Sequence, residues 1–98
     1  MTDKTVALIA YQYAKPEKRD ELKAQLAVLA KETPSEEGCE AYELHCLKDD
    51  PSVFFFYERW ADQAALDKHF NSETFQKFWA VRMDYLLRDV EITFLGRT

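Results

Sequence analysis

The stretch Val53-Phe54-Phe55-Phe56-Tyr57-Glu58-Arg59-Trp60 is the part of this chain that most restricts its fold. Residues of this kind at this density favour an extended strand, whose successive side chains point to opposite faces. Val53, Phe55 and Tyr57 then share one face, and Phe54, Phe56, Glu58 and Trp60 share the other. A sheet with helices on one side and water on the other alternates apolar with polar residues. Neither this strand nor the run Val6–Tyr13 (VALIAYQY) does so. Both faces of the sheet therefore need cover, and helices supply only one. The simplest cover for the second is the same face of another copy, in an isologous two-fold homodimer. The bland alternative is a monomer with an uncommonly large exposed apolar patch.

The remaining elements follow from punctuation and period. With 98 residues the chain is read as one domain over 1–98. Pro16 presets a helix start, and Leu22, Leu26 and Leu29 recur on one helical face before Pro34 and Gly38 end it. Cys39–Leu47 and the Val53–Trp60 run read as a hairpin about the turn formers Asp49-Asp50-Pro51-Ser52. Asp62 caps a short helix carrying Leu66 and Phe70. Ser72 caps a longer one whose Phe75, Phe78, Trp79, Arg82 and Leu86 share a face. Val90–Leu95 alternates as a last strand. The order βαββαβ predicts a ferredoxin-like α+β fold with an antiparallel sheet.

Several function classes recede on composition. A net charge of −5 with scattered basic residues disfavours a phosphate backbone or an anionic membrane as partner, so neither nucleic acid nor membrane is expected. Strand three has neither the glycine nor the positive balance of an RNA-binding sheet. Cys39 and Cys46 lack metal or redox spacing and read as reduced, and two glycines leave no phosphate loop. The opening residues do not read as a secretory leader, and no apolar run approaches the ~20 residues of a bilayer span. A cytoplasmic location is the expectation.

Few side chains here could carry chemistry near neutral pH. His69, one position before Phe70 and three after Leu66, could look between helices and sheet as a base, or be a half-exposed helix histidine with a local hydrogen bond. Glu58, between Phe56 and Trp60 on one face, would have a raised pKa among aromatics, unless it is a rim residue paired with an arginine across a dimer. Glu43 and His45 could share a metal, but no third ligand is visible. Tyr42, Tyr57, Trp60, Phe75, Phe78 and Trp79 could wall a pocket, or simply fill a core. Arg82 could anchor an anionic or phenolate oxygen, or snorkel to the surface.

Phe56-Tyr57-Glu58-Arg59-Trp60, Ala65-Leu66-Asp67-Lys68-His69-Phe70 and Ser72-Glu73-Thr74-Phe75, with Gly38 and Tyr42 ahead of them, together resemble the antibiotic biosynthesis monooxygenase family over nearly the whole chain. The resemblance implies a dimeric α+β barrel with a pocket in each subunit. It also implies oxygenation of quinol-like or phenolic substrates with no cofactor, neither flavin, metal nor haem. On that reading His69 is the preferred base, Glu58 and Trp60 occupy signature positions, and Tyr42, Tyr57, Phe75, Phe78, Trp79 and Arg82 are the substrate-binding candidates. Haem-degrading relatives carry a histidine where Trp79 stands here, and tryptophan cannot ligate iron. A non-catalytic dimeric ligand-binding or stress-response module, and an isomerase of the same fold, are the alternatives.

Overall fold

A computed structural model describes residues 3–98, so Met1 and Thr2 of the expected 1–98 unit lie outside it. The elements run β1 (Val6–Tyr13), α1 (Arg19–Glu32), β2 (Cys39–Leu47), β3 (Asp50–Trp60), α2 (Gln63–Phe70), α3 (Glu73–Val81) and β4 (Glu91–Leu95), with short 3-10 turns before and after α1 and after α3. The four strands form one antiparallel sheet in the order β2-β3-β1-β4, with β3 and β1 at its centre. This is the ferredoxin-like α+β topology the sequence predicts.

Both central strands alternate as the apolar runs require. The register sets Tyr42, Glu58, Leu8 and Phe94 in one row, Leu44, Phe56, Ala10 and Ile92 in the next, and Cys46, Phe54 and Gln12 in a third. These rows form the face toward the helices. Leu22, Leu26 and Leu29 of α1, Leu66 of α2 and Phe78 of α3 pack into the same buried core as Leu8, Phe54, Phe56 and Trp60 of the sheet. Each leucine removed from water there contributes about 2 kcal/mol before chain entropy is subtracted. The opposite face carries His45, Phe55, Tyr11 and Glu91 in one row and Glu43, Tyr57, Ile9 and Thr93 in another. Tyr11 lies 5.7 Å from Phe55, and His45 stacks on Phe55 at 5.1 Å, so an aromatic strip crosses three strands with no helix above it.

Local chemistry sets where elements begin and end. Asp62 accepts from the Ala65 N–H at 2.8 Å and Ser72 from the Phe75 N–H at 3.3 Å, the two caps expected for α2 and α3. Gly38 has φ +82°, and a Cβ there would come within 2.5 Å of the Ala65 Cβ. Only glycine lets the chain entering β2 pass this close to α2, and its carbonyl accepts from the Ala61 N–H at 2.8 Å.

Two boundaries depart from expectation. The β2–β3 turn is only Lys48-Asp49, since Asp50 already pairs with Leu47 across a register shift, and Pro51 and Ser52 belong to the strand. Helix α3 stops at Val81 instead of carrying Leu86. The Lys15 N–H donates to the Tyr85 carbonyl at 2.9 Å and the Leu87 N–H to the Tyr13 carbonyl at 2.8 Å. These bonds pull the chain into an extended bridge with the end of β1, from which Leu86 enters the core. Among the described residues no helix is long and apolar enough to cross a membrane.

Candidate functional site

The helix-facing side of β3 ends on Glu58 and Trp60, two residues apart and therefore side by side. Trp60 is wholly buried and its indole N–H donates to Glu58 Oε1 at 3.0 Å. Glu58 itself is only 4% exposed. Burial pushes its pKa up to about 7; the Trp60 hydrogen bond draws it back and the nearby Glu36 carboxylate adds to the rise. Glu58 is therefore an interior residue of this chain and not a rim one, whereas the neighbouring Arg59 bonds Glu40 at 3.1 Å and points to the other face.

His69, in the last turn of α2, lies over the far side of the same indole, its ring stacked at 4.8 Å and 28° on Trp60. It is 1% exposed, so the half-exposed alternative is not what the fold adopts. Nδ1 faces Glu36 Oε1 at 3.0 Å across 33 positions of sequence, while Nε2 is buried with no hydrogen-bond partner among the described residues. A carboxylate facing Nδ1 accepts a hydrogen bond from its N–H, which keeps the ring proton on Nδ1 and leaves the Nε2 lone pair free. Burial lowers the His69 pKa, against the raising influence of Glu36, and so favours the neutral ring. Tyr42 at 5.4 Å and Phe75 at 5.0 Å complete the aromatic cage.

Between sheet and helices lies a cleft in two parts. The mouth, about 250 Å³, is bounded by Phe70, Phe75, Gln76, Trp79 and Ile92. Behind it a slot of about 20 Å³ runs inward among Ala10, Gln12, Tyr42, Phe56, Glu58 and Phe78, with Phe70, Phe75, Trp79 and Ile92 shared by both parts. Of the substrate-binding candidates, Tyr42, Phe75, Phe78 and Trp79 line this cleft. Tyr57 does not: it stands on the opposite sheet face, because Glu58 takes the inward position beside it. Arg82 is also held away, since Asp89 takes its Nε at 2.7 Å and its Nη2 at 3.0 Å, the Trp79 carbonyl takes Nη1, and the guanidinium lies 3.6 Å over the Trp79 ring. Trp60 and His69 sit one layer behind the wall. His45 and Glu43 meet at 3.2 Å on the outer face, and among the described residues no third ligand joins them.

Two residues of this region had no place in the sequence reading. Glu36 lies in the loop Ser35-Glu36-Glu37-Gly38, where one more acidic residue carries no periodic signal. Gln12 did carry one: it is the single polar residue at an inward position of Val6–Tyr13, in step with Leu8 and Ala10.

The profile of the antibiotic biosynthesis monooxygenase family matches residues 5–81. The chain belongs to this family. "Putative monooxygenase Rv0793" of Mycobacterium tuberculosis is 33% identical over 91 residues, 93% of this chain and 89% of that protein. The Rv0793 structure superposes with a TM-score of 0.90 over 96% of this chain and 95% of the other. PA3566 from Pseudomonas aeruginosa gives 0.92 at 33% identity, covering 100% and 98% of the two chains. The chain spans about half of "Uncharacterized protein sll1783" of Synechocystis, 53% of its length, at 33% identity over 78 residues, or 80% of this chain. The family supports a monooxygenase-type function and leaves the substrate open.

The buried carboxyl makes a prediction about stability. A folded pKa of about 7 against an ordinary 4.5 means that Glu58 stabilises the fold fully below pH 4.5 and that this contribution is lost as pH rises through 7. The loss amounts to about 3 kcal/mol. Glu58→Gln keeps an acceptor for Trp60 and removes the titration. Urea unfolding at a series of pH values should show variant and native protein equal near pH 4.5 and the variant about 3 kcal/mol more stable at pH 8. Parallel curves would mean that Glu58 titrates normally.

Proposed function

We propose that this family member is a monooxygenase that oxidises a small phenol or quinol with dioxygen, drawing on no flavin, metal or haem. The observation that carries this reading is Glu58: an ionisable group lining an apolar, aromatic-walled cleft, with a pKa of about 7. A base poised near the working pH is the arrangement proton abstraction needs. Glu58 takes the proton of a substrate hydroxyl, and the resulting electron-rich anion passes an electron to dioxygen. Recombination forms a hydroperoxide on a ring carbon. Loss of water then breaks the O–O bond, leaving one oxygen atom in the ring as a carbonyl and sending the other out with two substrate hydrogens. No outside reductant enters. The dry walls of Phe75, Phe78 and Trp79 keep the anion from being reprotonated.

A second assignment of the base has its own support in the unpartnered Nε2 of His69, whose Nδ1 is held by Glu36. The pH profile separates the two. With Glu58 as acceptor, kcat/KM rises with pH through about 7, because only the carboxylate accepts a proton. With His69 it rises at lower pH, because burial lowers that pKa below 6.5.

Oxygen uptake by chelator-treated protein across a panel of naphthols and hydroquinones tests the reading. The expected result is uptake that survives chelation and falls about a hundredfold or more in Glu58→Gln. Uptake retained in that variant but lost in His69→Gln moves the base to His69. No uptake above the uncatalysed background contradicts the monooxygenase reading and favours a ligand-binding module, whereas product formed without oxygen favours an isomerase.

We further propose that the strip of His45, Phe55, Tyr11, Tyr57 and Ile9 is covered by a second copy in a homodimer. Support comes from an aromatic face that no helix of this chain overlies, in a family for which the resemblance implies dimers. Sedimentation equilibrium should return twice the chain mass for the native protein and the chain mass for Phe55→Asp. A native monomer at micromolar concentration would refute the assembly.

A further inference from the structure

The inner wall of the cleft holds a buried amide for which the proposed chemistry has no use. Gln12, on β1, is 3% exposed and lines the slot, and among the described residues its Oε1 has no hydrogen-bond partner. Leaving a buried amide oxygen unpaired is destabilising, and such a group is retained where a ligand completes it. Its neighbours are apolar, among them its cross-strand partner Phe54 and the small Ala10. Ala10, next along the same face, pairs with Phe56 on one side and Ile92 on the other. Ile92 also bounds the mouth, so the space over Ala10 joins the outer cleft to the slot beside Gln12. The mouth, at about 250 Å³, accommodates a one- or two-ring aromatic molecule. The slot, at about 20 Å³, admits small substituents such as a hydroxyl and excludes a ring.

We propose that Gln12 determines specificity at the inner end of this cleft: its Oε1 accepts a hydrogen bond from a hydroxyl or N–H that a flat aromatic ligand inserts into the slot. An oxygen acceptor with no competing partner selects for a donor and against the same molecule bearing an ether there. Gln12 and Glu58 are distinct stations. Glu58 pairs with Leu8, and Gln12 is four residues further along β1, about 13 Å away between Cα positions. Gln12 therefore reads a donor without taking part in the proton transfer assigned to Glu58. The proposal rests on the cleft being the substrate site, but not on oxygen being consumed there.

The test measures binding in oxygen-free buffer, by quenching of tryptophan fluorescence, since Trp79 lines the mouth. The probes are 1-naphthol and 1-methoxynaphthalene, with native protein and Gln12→Leu, and thermal unfolding of both proteins is recorded alongside. The native protein should bind the naphthol about tenfold more tightly than its methyl ether. Gln12→Leu should bind the two probes within about twofold of one another while melting no lower than native, because it removes an unpaired buried oxygen from the core. That combination, lost discrimination with retained stability, is not produced by a residue that merely supports the fold. Equal native affinities, discrimination retained in Gln12→Leu, or no binding of either probe would each overturn the proposal. Discrimination without any oxygen uptake would uphold Gln12 and contradict the monooxygenase reading alone.

Discussion

Trp60 joins two groups that water would otherwise claim. Its indole N–H donates to Glu58 at 3.0 Å and its ring face receives His69 at 4.8 Å, so one wholly buried side chain positions two titratable residues of the interior. A carboxyl in such surroundings is costly to ionise, and a single neutral donor offsets only part of that penalty. What remains is the raised pKa. Removing the indole would leave Glu58 without its donor and His69 without its stacking surface. The site is therefore one packed unit, in which substitutions at Glu58, Trp60 and His69 should not act additively.

The same logic explains why stability and chemistry oppose each other. Ionised Glu58 suits proton abstraction but weakens the fold above neutral pH, whereas neutral His69 is favoured by the fold and loses that favour as pH falls. Gln12, buried with its oxygen unpaired, fits the same pattern. Three polar groups at the helix-facing side of one sheet would be poor design for a core and are sensible for a site.

Much of this was legible in the sequence, and for identifiable reasons. The strands at Val6–Tyr13 and Cys39–Leu47, the caps at Asp62 and Ser72, and the shared face of Phe54, Phe56, Glu58 and Trp60 follow from local propensity and a period of two, which tertiary context did not override; that this face is the inward one does not, because alternation sorts residues into two faces without saying which is covered by the helices. The end of α3 was not legible, because the pairing of Tyr85 and Leu87 with the end of β1 is a contact between distant parts of the chain. Arg82 follows α3 instead of continuing its stripe, and its bidentate partner Asp89 lies further along the chain, where periodicity says nothing. Tyr57 and Trp60 alternate on β3 and so cannot wall one pocket together; the fold turns Glu58 and Trp60 inward and leaves Tyr57 on the outer face. Glu36 was invisible because loop acids have no pattern, and only the fold brings it to His69.

The central claim is that Glu58 sits in the interior as a carboxyl that changes charge near neutral pH. Carbon-13 NMR of the glutamate side-chain carboxyls, with Glu58 assigned by its absence from Glu58→Gln, measures this directly. The account predicts a Glu58 resonance that titrates at about 7, apart from the other glutamates. A Glu58 resonance that titrates at about 4.3, with the ordinary glutamates, would contradict it.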